Sequence, residues 1–274
     1  MRKQNAIRIF AAALSLAATL LFAGCSTVPV TGRSQLNLIS SGQEMQLGLS
    51  SFDQLKKETP ISHDAAANAL VQRVGKRIAA VASKDMPDAQ WEFVVFESKE
   101  ANAFCLPGGK VGVYSGILPI TRDDAGLATV LGHEIGHAVA HHGAERMTTA
   151  MGVQGVGELT GALVGSSKYS QYQNLYMGLY GVGTQVGVEL PHSRAQESEA
   201  DHIGIIYMAR AGYDPKESVA FWQRFSDFNK QQGGGNASFL SKFLSTHPVD
   251  QVRIEQLQKW MPEAEAEFRK SAIR

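Results

Sequence analysis

The chain has 274 residues, and its 26 basic and 26 acidic side chains give a formal net charge of zero at pH 7. A chain with balanced charge and no basic patch lacks the electrostatic footprint of a nucleic-acid-binding protein, so we expect no nucleic-acid partner. The length is sufficient to bury a sizeable core, and no repeat or long linker divides the chain. These properties predict one folded domain, which we place at residues 41–274.

The first 24 residues have the pattern of a secretory signal. Three basic residues precede an apolar run from Ile9 to Phe22, which is too short to span a membrane. The run ends in Leu-Phe-Ala-Gly-Cys, which resembles a bacterial lipobox, so Cys25 is predicted to be the lipidated first residue of a mature lipoprotein. An ordinary secretory signal followed by a stray cysteine is the alternative.

The lipoprotein interpretation also predicts a localisation. Acyl chains would anchor the protein permanently, because each buried CH₂ group contributes about 0.8 kcal/mol. Ser26, rather than an aspartate, follows the cysteine. By resemblance to enterobacterial sorting, this residue favours the cell outer membrane, with the protein facing the periplasm. Residues 25–40 are then predicted to form the membrane tether.

The next elements are two helices and two strands. A capping box at Ser41 to Glu44 predicts a helix over residues 42–57, and an apolar stripe predicts another over residues 64–82. Alternation of apolar and mixed residues predicts a strand from Trp91 to Phe96. A second strand is predicted from Lys110 to Tyr114, after a Pro-Gly-Gly turn.

Residues 133–137 read His-Glu-Ile-Gly-His within a segment, Asp123 to His142, whose apolar stripe predicts a helix. Positions four apart lie on one helix face, so His133 and His137 can bind the same ion. Two histidines from one helix, a third ligand from elsewhere and an open fourth position characterise a catalytic zinc site. We therefore predict one Zn²⁺ per chain, with Glu134 as the general base. An exposed helix that carries two histidines by chance is the alternative.

The third ligand is not a nearby histidine. In the metzincin pattern a third histidine follows six residues after the second, but Gly143 occupies that place here. His141 shares a helix face with the histidine pair, yet eight residues of helix put it about 12 Å from His133. The third ligand must therefore come from another part of the chain.

The segment from Ser193 to Asp201 opens another predicted helix and carries three carboxylates. Glu197 and Asp201 are four residues apart and share one face. We predict that Glu197 is the third metal ligand and that Asp201 accepts the free ring N–H of a ligand histidine. Glu199 points to nearly the opposite side, so we expect it to be dispensable for zinc binding. A solvated acidic helix start is the alternative.

The remaining segments are less informative. A capping box that starts at Asp214 predicts a helix to about Gln232, and another helix is predicted from Asp250 to Trp260. Residues 147–190 hold nine glycines and four of the seven tyrosines. This composition is compatible with a packed helical hairpin or with a mobile, membrane-facing lid over the cleft.

Four segments together carry a resemblance to a known family. In chain order they are Asn102-Ala-Phe-Cys-Leu-Pro-Gly-Gly109, His133-Glu-Ile-Gly-His137, Glu197-Ser-Glu-Ala-Asp201 and Thr246-His-Pro248. The chain resembles the CAAX-prenyl-protease/HtpX-type zinc metallopeptidases, which are gluzincins, and among them the LoiP/BepA-like outer-membrane lipoprotein proteases of bacteria. The resemblance implies a zincin-like metalloprotease domain that is mainly α with a small β-sheet (α+β). It places zinc on His133, His137 and Glu197.

The resemblance also implies roles for two further regions. His247 is expected at the active site, where it either stabilises the developing oxyanion or occupies the open coordination position and silences the enzyme. Zincin proteases bind an extended peptide at the exposed edge of a sheet. We expect that edge to be the second strand, with substrate-binding residues Gly109, Lys110, Val111, Gly112 and Val113. An inner strand is the alternative.

The expected function is zinc-dependent hydrolysis of peptide bonds in misfolded or stalled cell-envelope proteins. The expected partners are polypeptide substrates, either unfolded or membrane proteins, and the outer membrane itself through the N-terminal lipid. One alternative is a non-catalytic, zinc-stabilised outer-membrane assembly factor or chaperone, although such a protein would not need Glu134. Another is a zinc amidase that acts on cell-wall peptide.

Overall fold

The computed structural model describes residues 25–154, 193–231, 243, 247 and 251–271. The predicted signal segment, residues 1–24, lies outside these ranges, as does most of the glycine-rich segment 147–190. The described part of the chain is mainly helical with two small sheets, which confirms the predicted α+β class.

Most helices begin and end close to the predicted residues, but the last one continues to Ser271, well beyond the predicted end at Trp260. The described helices are α1 (Ser41–Glu58), α2 (Ala65–Ala82), α3 (Leu118–Thr121), α4 (Asp124–Val139), α5 (His142–Gln154), α6 (Arg194–Arg210), α7 (Lys216–Gln231) and α8 (Gln251–Ser271). The capping box of α1 lies one residue earlier than predicted, because Ser40 accepts a hydrogen bond from the backbone of Gln43. None of these described helices combines the length and the apolar character that crossing a membrane requires.

The strands form two sheets. They are β1 (Cys25–Thr27), β2 (Ser34–Leu36), β3 (Glu92–Phe96), β4 (Ala103–Leu106) and β5 (Lys110–Tyr114). The first two pair antiparallel as a hairpin. The other three form a sheet in the order β3-β5-β4, in which β5 runs parallel to β3 and antiparallel to β4.

The predicted substrate edge, Gly109 to Val113, is wrong. Strand β5 lies in the centre of its sheet, so neighbouring strands already use the hydrogen-bonding groups on both of its sides. Strand β4 forms one edge of this sheet, and the sequence did not reveal it because all four of its residues are buried and show no alternation. Strand β4 also packs against α4, the helix that carries the two histidines.

Helix α4 is the centre of the core. Every residue from Gly126 to Val139 is buried, so this helix is covered on all sides, whereas a surface helix shows one apolar face. The helix ends three residues earlier than predicted. His141 adopts a left-handed backbone conformation with φ of 53°, and the chain turns there before α5 begins at His142. This turn directs His142 back towards the histidine pair.

Helices α4 and α6 approach each other closely at glycines. A Cβ atom added to Gly204 would lie 2.8 Å from the backbone nitrogen of His133, and one added to Gly132 would lie 2.8 Å from the backbone oxygen of Gly204. Real Cβ atoms essentially never make such contacts, so these positions require glycine. The close contact brings Glu197 of α6 within reach of both histidines of α4.

Residues 25–40, which the sequence predicts to be a membrane tether, are folded against the rest of the domain. The β1–β2 hairpin (residues 25–36, called the N-terminal hairpin below) turns through Val28 to Gly32. Beyond it, the backbone N–H of Leu38 donates to the Thr148 hydroxyl of α5 at 3.0 Å. The N-terminal segment therefore contacts the domain at several points and is more than a connection.

We predict that Gly204→Ala lowers the free energy of unfolding by about 1–3 kcal/mol, because the new methyl group must push α6 away from α4. Urea denaturation of the metal-free protein measures the effect. The matched control is Gly42→Ala in α1, where an added Cβ meets nothing within 4 Å. That substitution should be neutral or stabilising by up to about 1 kcal/mol. Equal effects of the two substitutions would contradict the helix-contact account.

Candidate metal centre

Four side chains converge where α4 meets α6. The Nε2 atoms of His133 and His137 are 3.1 Å apart, and Glu197 Oε1 lies 3.2 Å from His137 Nε2. Nδ1 of His247 lies 3.0 Å from Glu197 Oε1. One ligand atom from each of these four residues fits within a group whose members are all within 4.8 Å of one another. All four side chains are buried.

The predicted partner of the first ligand is in place. Nδ1 of His133 lies 2.9 Å from Asp201 Oδ1, so the ring donates its Nδ1–H to the carboxylate and leaves Nε2 for an ion. Burial, the largest influence, acts to lower the pKa of His133, and Arg253 acts in the same direction. The carboxylates of Glu197 and Asp201 outweigh both and raise that pKa to about 9. The surroundings of His133 therefore stabilise positive charge.

Arg253 is a site residue that the sequence analysis did not find. Its Nε donates to Asp201 Oδ2 at 2.6 Å, and its Nη1 lies 3.0 Å from Glu197 Oε2. The guanidinium group stacks on the ring of Trp222, with Cζ 3.5 Å from the ring centroid. Its position six residues after His247, in the first turn of α8, gave no periodic signal that links it to Glu197. Arg253 compensates the charge of two buried carboxylates and fixes their orientation.

Glu134 lies beside the cluster in a state suited to a base. Its Oε1 is buried and accepts no hydrogen bond from the described residues, and His247 Nε2 lies 3.5 Å from it. Burial raises the pKa of Glu134 above its ordinary value, although His247 and His133 act in the opposite direction. A carboxylate with a raised pKa and an unused acceptor oxygen can take a proton from a substrate or a water molecule.

Glu199 and His142 form a second buried pair, which the sequence did not reveal. Glu199 lies on a different face from Glu197, as predicted, and its side chain is buried. It contacts Nε2 of His142 at 3.0 Å, and Nδ1 of His142 lies 2.8 Å from Nδ1 of His137. Burial acts to raise the pKa of Glu199, but hydrogen bonds from His142, Thr31 and Arg33 lower it to about 2.

His141 is excluded from the cluster, as the sequence predicted. Its Nδ1 lies 2.6 Å from Oε2 of Glu44 in α1, a contact that joins the end of the metal helix to the first helix. Cys105 in β4 is also outside the cluster, and burial raises the pKa of its thiol. Neither residue contributes a ligand atom to the described group.

The donor set fits a divalent transition-metal ion. Two imidazoles and one carboxylate are the ligand chemistry of catalytic zinc sites, and both histidines can offer Nε2. The Glu197 carboxylate is buried beside the two histidines, with Nη1 of Arg253 3.0 Å from its Oε2. A divalent cation bound there would add positive charge next to that carboxylate, which would be costly to bury alone.

Comparison with known proteins agrees with this geometry. Residues 65–261 match peptidase family M48. The chain belongs to that family. It is 33% identical over 274 residues to the mitochondrial metalloendopeptidase OMA1 of Saccharomyces cerevisiae, which covers 92% of this chain and 76% of the relative. It is 34% identical over 262 residues to the protein of the same name from Schizosaccharomyces pombe, with 94% and 72% covered.

A bacterial relative is more distant. The chain is 27% identical over 257 residues to the beta-barrel assembly-enhancing protease of Escherichia coli, with 92% of this chain and 51% of that protein covered. The M48 family match and the named metalloendopeptidases confirm the predicted resemblance and the enzyme class. The protein is a metalloendopeptidase, it depends on a metal ion, and its substrates are polypeptides.

The predicted localisation in the cell outer membrane is wrong. The relatives at 33% and 34% identity are named as mitochondrial proteins, and no relative reported above is named as an outer-membrane lipoprotein. The prediction depended on a five-residue pattern with Phe22 where leucine is usual, and such a pattern carries far less information than a match along the whole domain. The signal segment and the acylation of Cys25 stay predictions.

We predict that Arg253→Met lowers the free energy of unfolding of the metal-free protein by about 3–5 kcal/mol, because it leaves two buried carboxylates without their cation. The control is Arg73→Met, which removes an exposed ion pair with Asp124 at the start of α4. The control should lose less than about 1 kcal/mol. Urea denaturation measures both, and comparable losses would show that Arg253 is not the compensating charge.

Proposed function

We propose that the protein is a zinc-dependent endopeptidase that cleaves unfolded or misassembled proteins, including membrane proteins. The observation that carries the proposal is the convergence of His133, His137 and Glu197 with the unused carboxylate oxygen of Glu134 beside them. The names of the relatives, a mitochondrial metalloendopeptidase and a beta-barrel assembly-enhancing protease, support a role in membrane-protein quality control. The substrate class is inferred from those relatives, since no specificity pocket is evident from the sequence.

The catalytic work divides between the ion and the side chains. Zinc held by His133, His137 and Glu197 would supply Lewis acidity, which activates water and polarises the scissile carbonyl. Glu134 takes the proton of the attacking water on Oε1 and delivers it to the nitrogen of the leaving amine. Asp201 holds His133 in the tautomer that presents Nε2.

We propose that the substrate lies along the outer edge of β4 rather than on β5. The opposite edge of the sheet is partly used, because the backbone of Ser62 donates to Val95 of β3 at 2.8 Å. Strand β4 has a paired strand on only one side among the described residues, and it packs against the metal helix. An extended peptide could add there through main-chain hydrogen bonds that ignore its sequence.

His247 controls access to the metal site in this proposal. Its Nδ1 lies 3.2 Å from His133 Nε2 and 3.0 Å from Glu197 Oε1, within the distances that separate the three predicted ligands. This position supports the expectation that His247 occupies the open coordination position of the metal, rather than stabilising the oxyanion of the substrate. We therefore infer that His247 occupies the fourth position in the resting enzyme and withdraws when a peptide binds. The burial of all the ligands supports a closed resting form.

We expect Glu134→Gln to keep the fold and the bound zinc but to lose proteolysis by several orders of magnitude, because the amide cannot accept the water proton. Cleavage of an unfolded casein-type substrate and metal analysis of the same preparations measure this. The matched control is Glu58→Gln at the exposed end of α1, which should retain full activity.

Comparable cleavage by Glu134→Gln would contradict the mechanism. If neither the wild-type protein nor the Glu58→Gln variant cleaves any unfolded protein while both bind zinc, the result would instead favour a non-catalytic assembly factor.

A further inference from the structure

The ligand His137 lies at the end of a chain of polar contacts that begins in the N-terminal hairpin. Nε of Arg33 donates to Glu199 Oε2 at 2.7 Å, and the hydroxyl of Thr31 donates to Glu199 Oε1. Glu199 Oε2 lies 3.0 Å from His142 Nε2, and His142 Nδ1 lies 2.8 Å from His137 Nδ1. Four elements of the chain (the N-terminal hairpin, α6, α5 and α4) therefore meet in one line of contacts.

The carboxylate at one end of this line of contacts determines which ring nitrogens of His142 and His137 carry protons. The Glu199 carboxylate can only accept, so His142 donates through Nε2–H and its Nδ1 carries a lone pair. That lone pair accepts the Nδ1–H of His137. The Nε2 atom of His137, which lies 3.2 Å from Glu197 Oε1, is then the unprotonated nitrogen, as a metal ligand requires.

The two ligand histidines are thus supported in different ways. His133 donates its Nδ1–H directly to Asp201, which Arg253 holds in place. His137 donates its Nδ1–H to His142, which in turn donates to Glu199, and Arg33 holds that carboxylate. In both cases an arginine fixes the carboxylate. The second arginine, however, comes from the N-terminal hairpin, more than one hundred residues before the ligand.

The side chains in this line of contacts are buried or held by several partners, so they have little freedom to adopt other positions. His142 has no exposed surface, and the Glu199 side chain is only 7% exposed. Arg33 is also held by Glu145 of α5, with Nη1 to Oε1 at 2.7 Å. The same guanidinium therefore joins the hairpin to α5 and α6 at once, so a displacement of the hairpin would pull on the contact that orients His142.

We propose that the N-terminal hairpin, through Arg33, Glu199 and His142, positions the ring of His137 for metal binding. These three are positioning residues, since none of them supplies a ligand atom to the described cluster and each acts through the next. The inference rests on the proposed zinc site. On this inference the N-terminal hairpin, which follows the predicted signal segment, helps to hold the metal centre in place. The affinity for the metal then depends on whether the hairpin is docked against α5 and α6.

The test measures zinc affinity by competition with a coloured chelator, using the purified protein and its variants. Arg33→Ala, which removes a half-exposed side chain, should weaken zinc binding by about 10-fold, and His142→Phe should weaken it by up to about 100-fold. The matched control is Arg73→Ala, which breaks another two-pronged arginine–carboxylate pair, with Asp124 of the metal helix itself. Its zinc affinity should equal that of the wild-type protein.

A second set of measurements separates positioning from general loss of structure. The metal-free Arg33→Ala and Arg73→Ala variants should both unfold in one cooperative transition, and their zinc affinities are compared well below both melting temperatures. Under these conditions only Arg33→Ala should lose zinc affinity. His142→Gln should recover part of the affinity that His142→Phe loses, because its amide can accept from one neighbour and donate to the other.

The outcomes are distinct. Wild-type protein that binds no zinc would overturn the proposed zinc site, and the positioning inference with it. Wild-type protein that binds zinc tightly, together with Arg33→Ala and His142→Phe variants of unchanged affinity, would overturn the positioning inference alone. Equal losses in Arg33→Ala and Arg73→Ala would also overturn it.

Discussion

The close contact between the backbones of α4 and α6 is the constraint on which the rest of the structure depends. Gly132 and Gly204 let the two helices approach to a distance that no side chain would permit. Because the helices touch there, the carboxylates of Glu197 and Asp201 reach His137 and His133 of α4. Had the helices been separated by the usual side-chain layer of 8–10 Å between axes, these contacts could not form.

That contact creates an electrostatic problem that the surrounding elements solve. Several carboxylates and imidazoles are buried together, and each must have a partner of opposite charge or a hydrogen bond. Arg253 from α8 compensates Asp201 and Glu197, and Arg33 from the N-terminal hairpin compensates Glu199. A divalent ion bound to His133, His137 and Glu197 would add further positive charge. Elements far apart in sequence are therefore held together by the charge balance of one site.

The sequence predicted the parts of the site that local geometry determines. His133, His137, Glu197 and Asp201 follow from positions four apart on two helices, and a helical period is visible in any single sequence. Arg253 and the contact of Glu199 with His142 were missed because their partners come from distant elements that no period relates. The central place of β5 was missed for a similar reason, since strand order depends on pairing with β4, whose buried residues do not alternate.

X-ray absorption spectroscopy at the zinc edge tests the central claim most directly, because it reports the ligand atoms themselves. The purified protein should hold one zinc ion per chain, with nitrogen and oxygen ligands at about 2.0–2.1 Å. The spectrum should contain the scattering of three imidazoles, from His133, His137 and the resting His247. A sulfur ligand at about 2.3 Å, or the absence of stoichiometric zinc, would contradict the account.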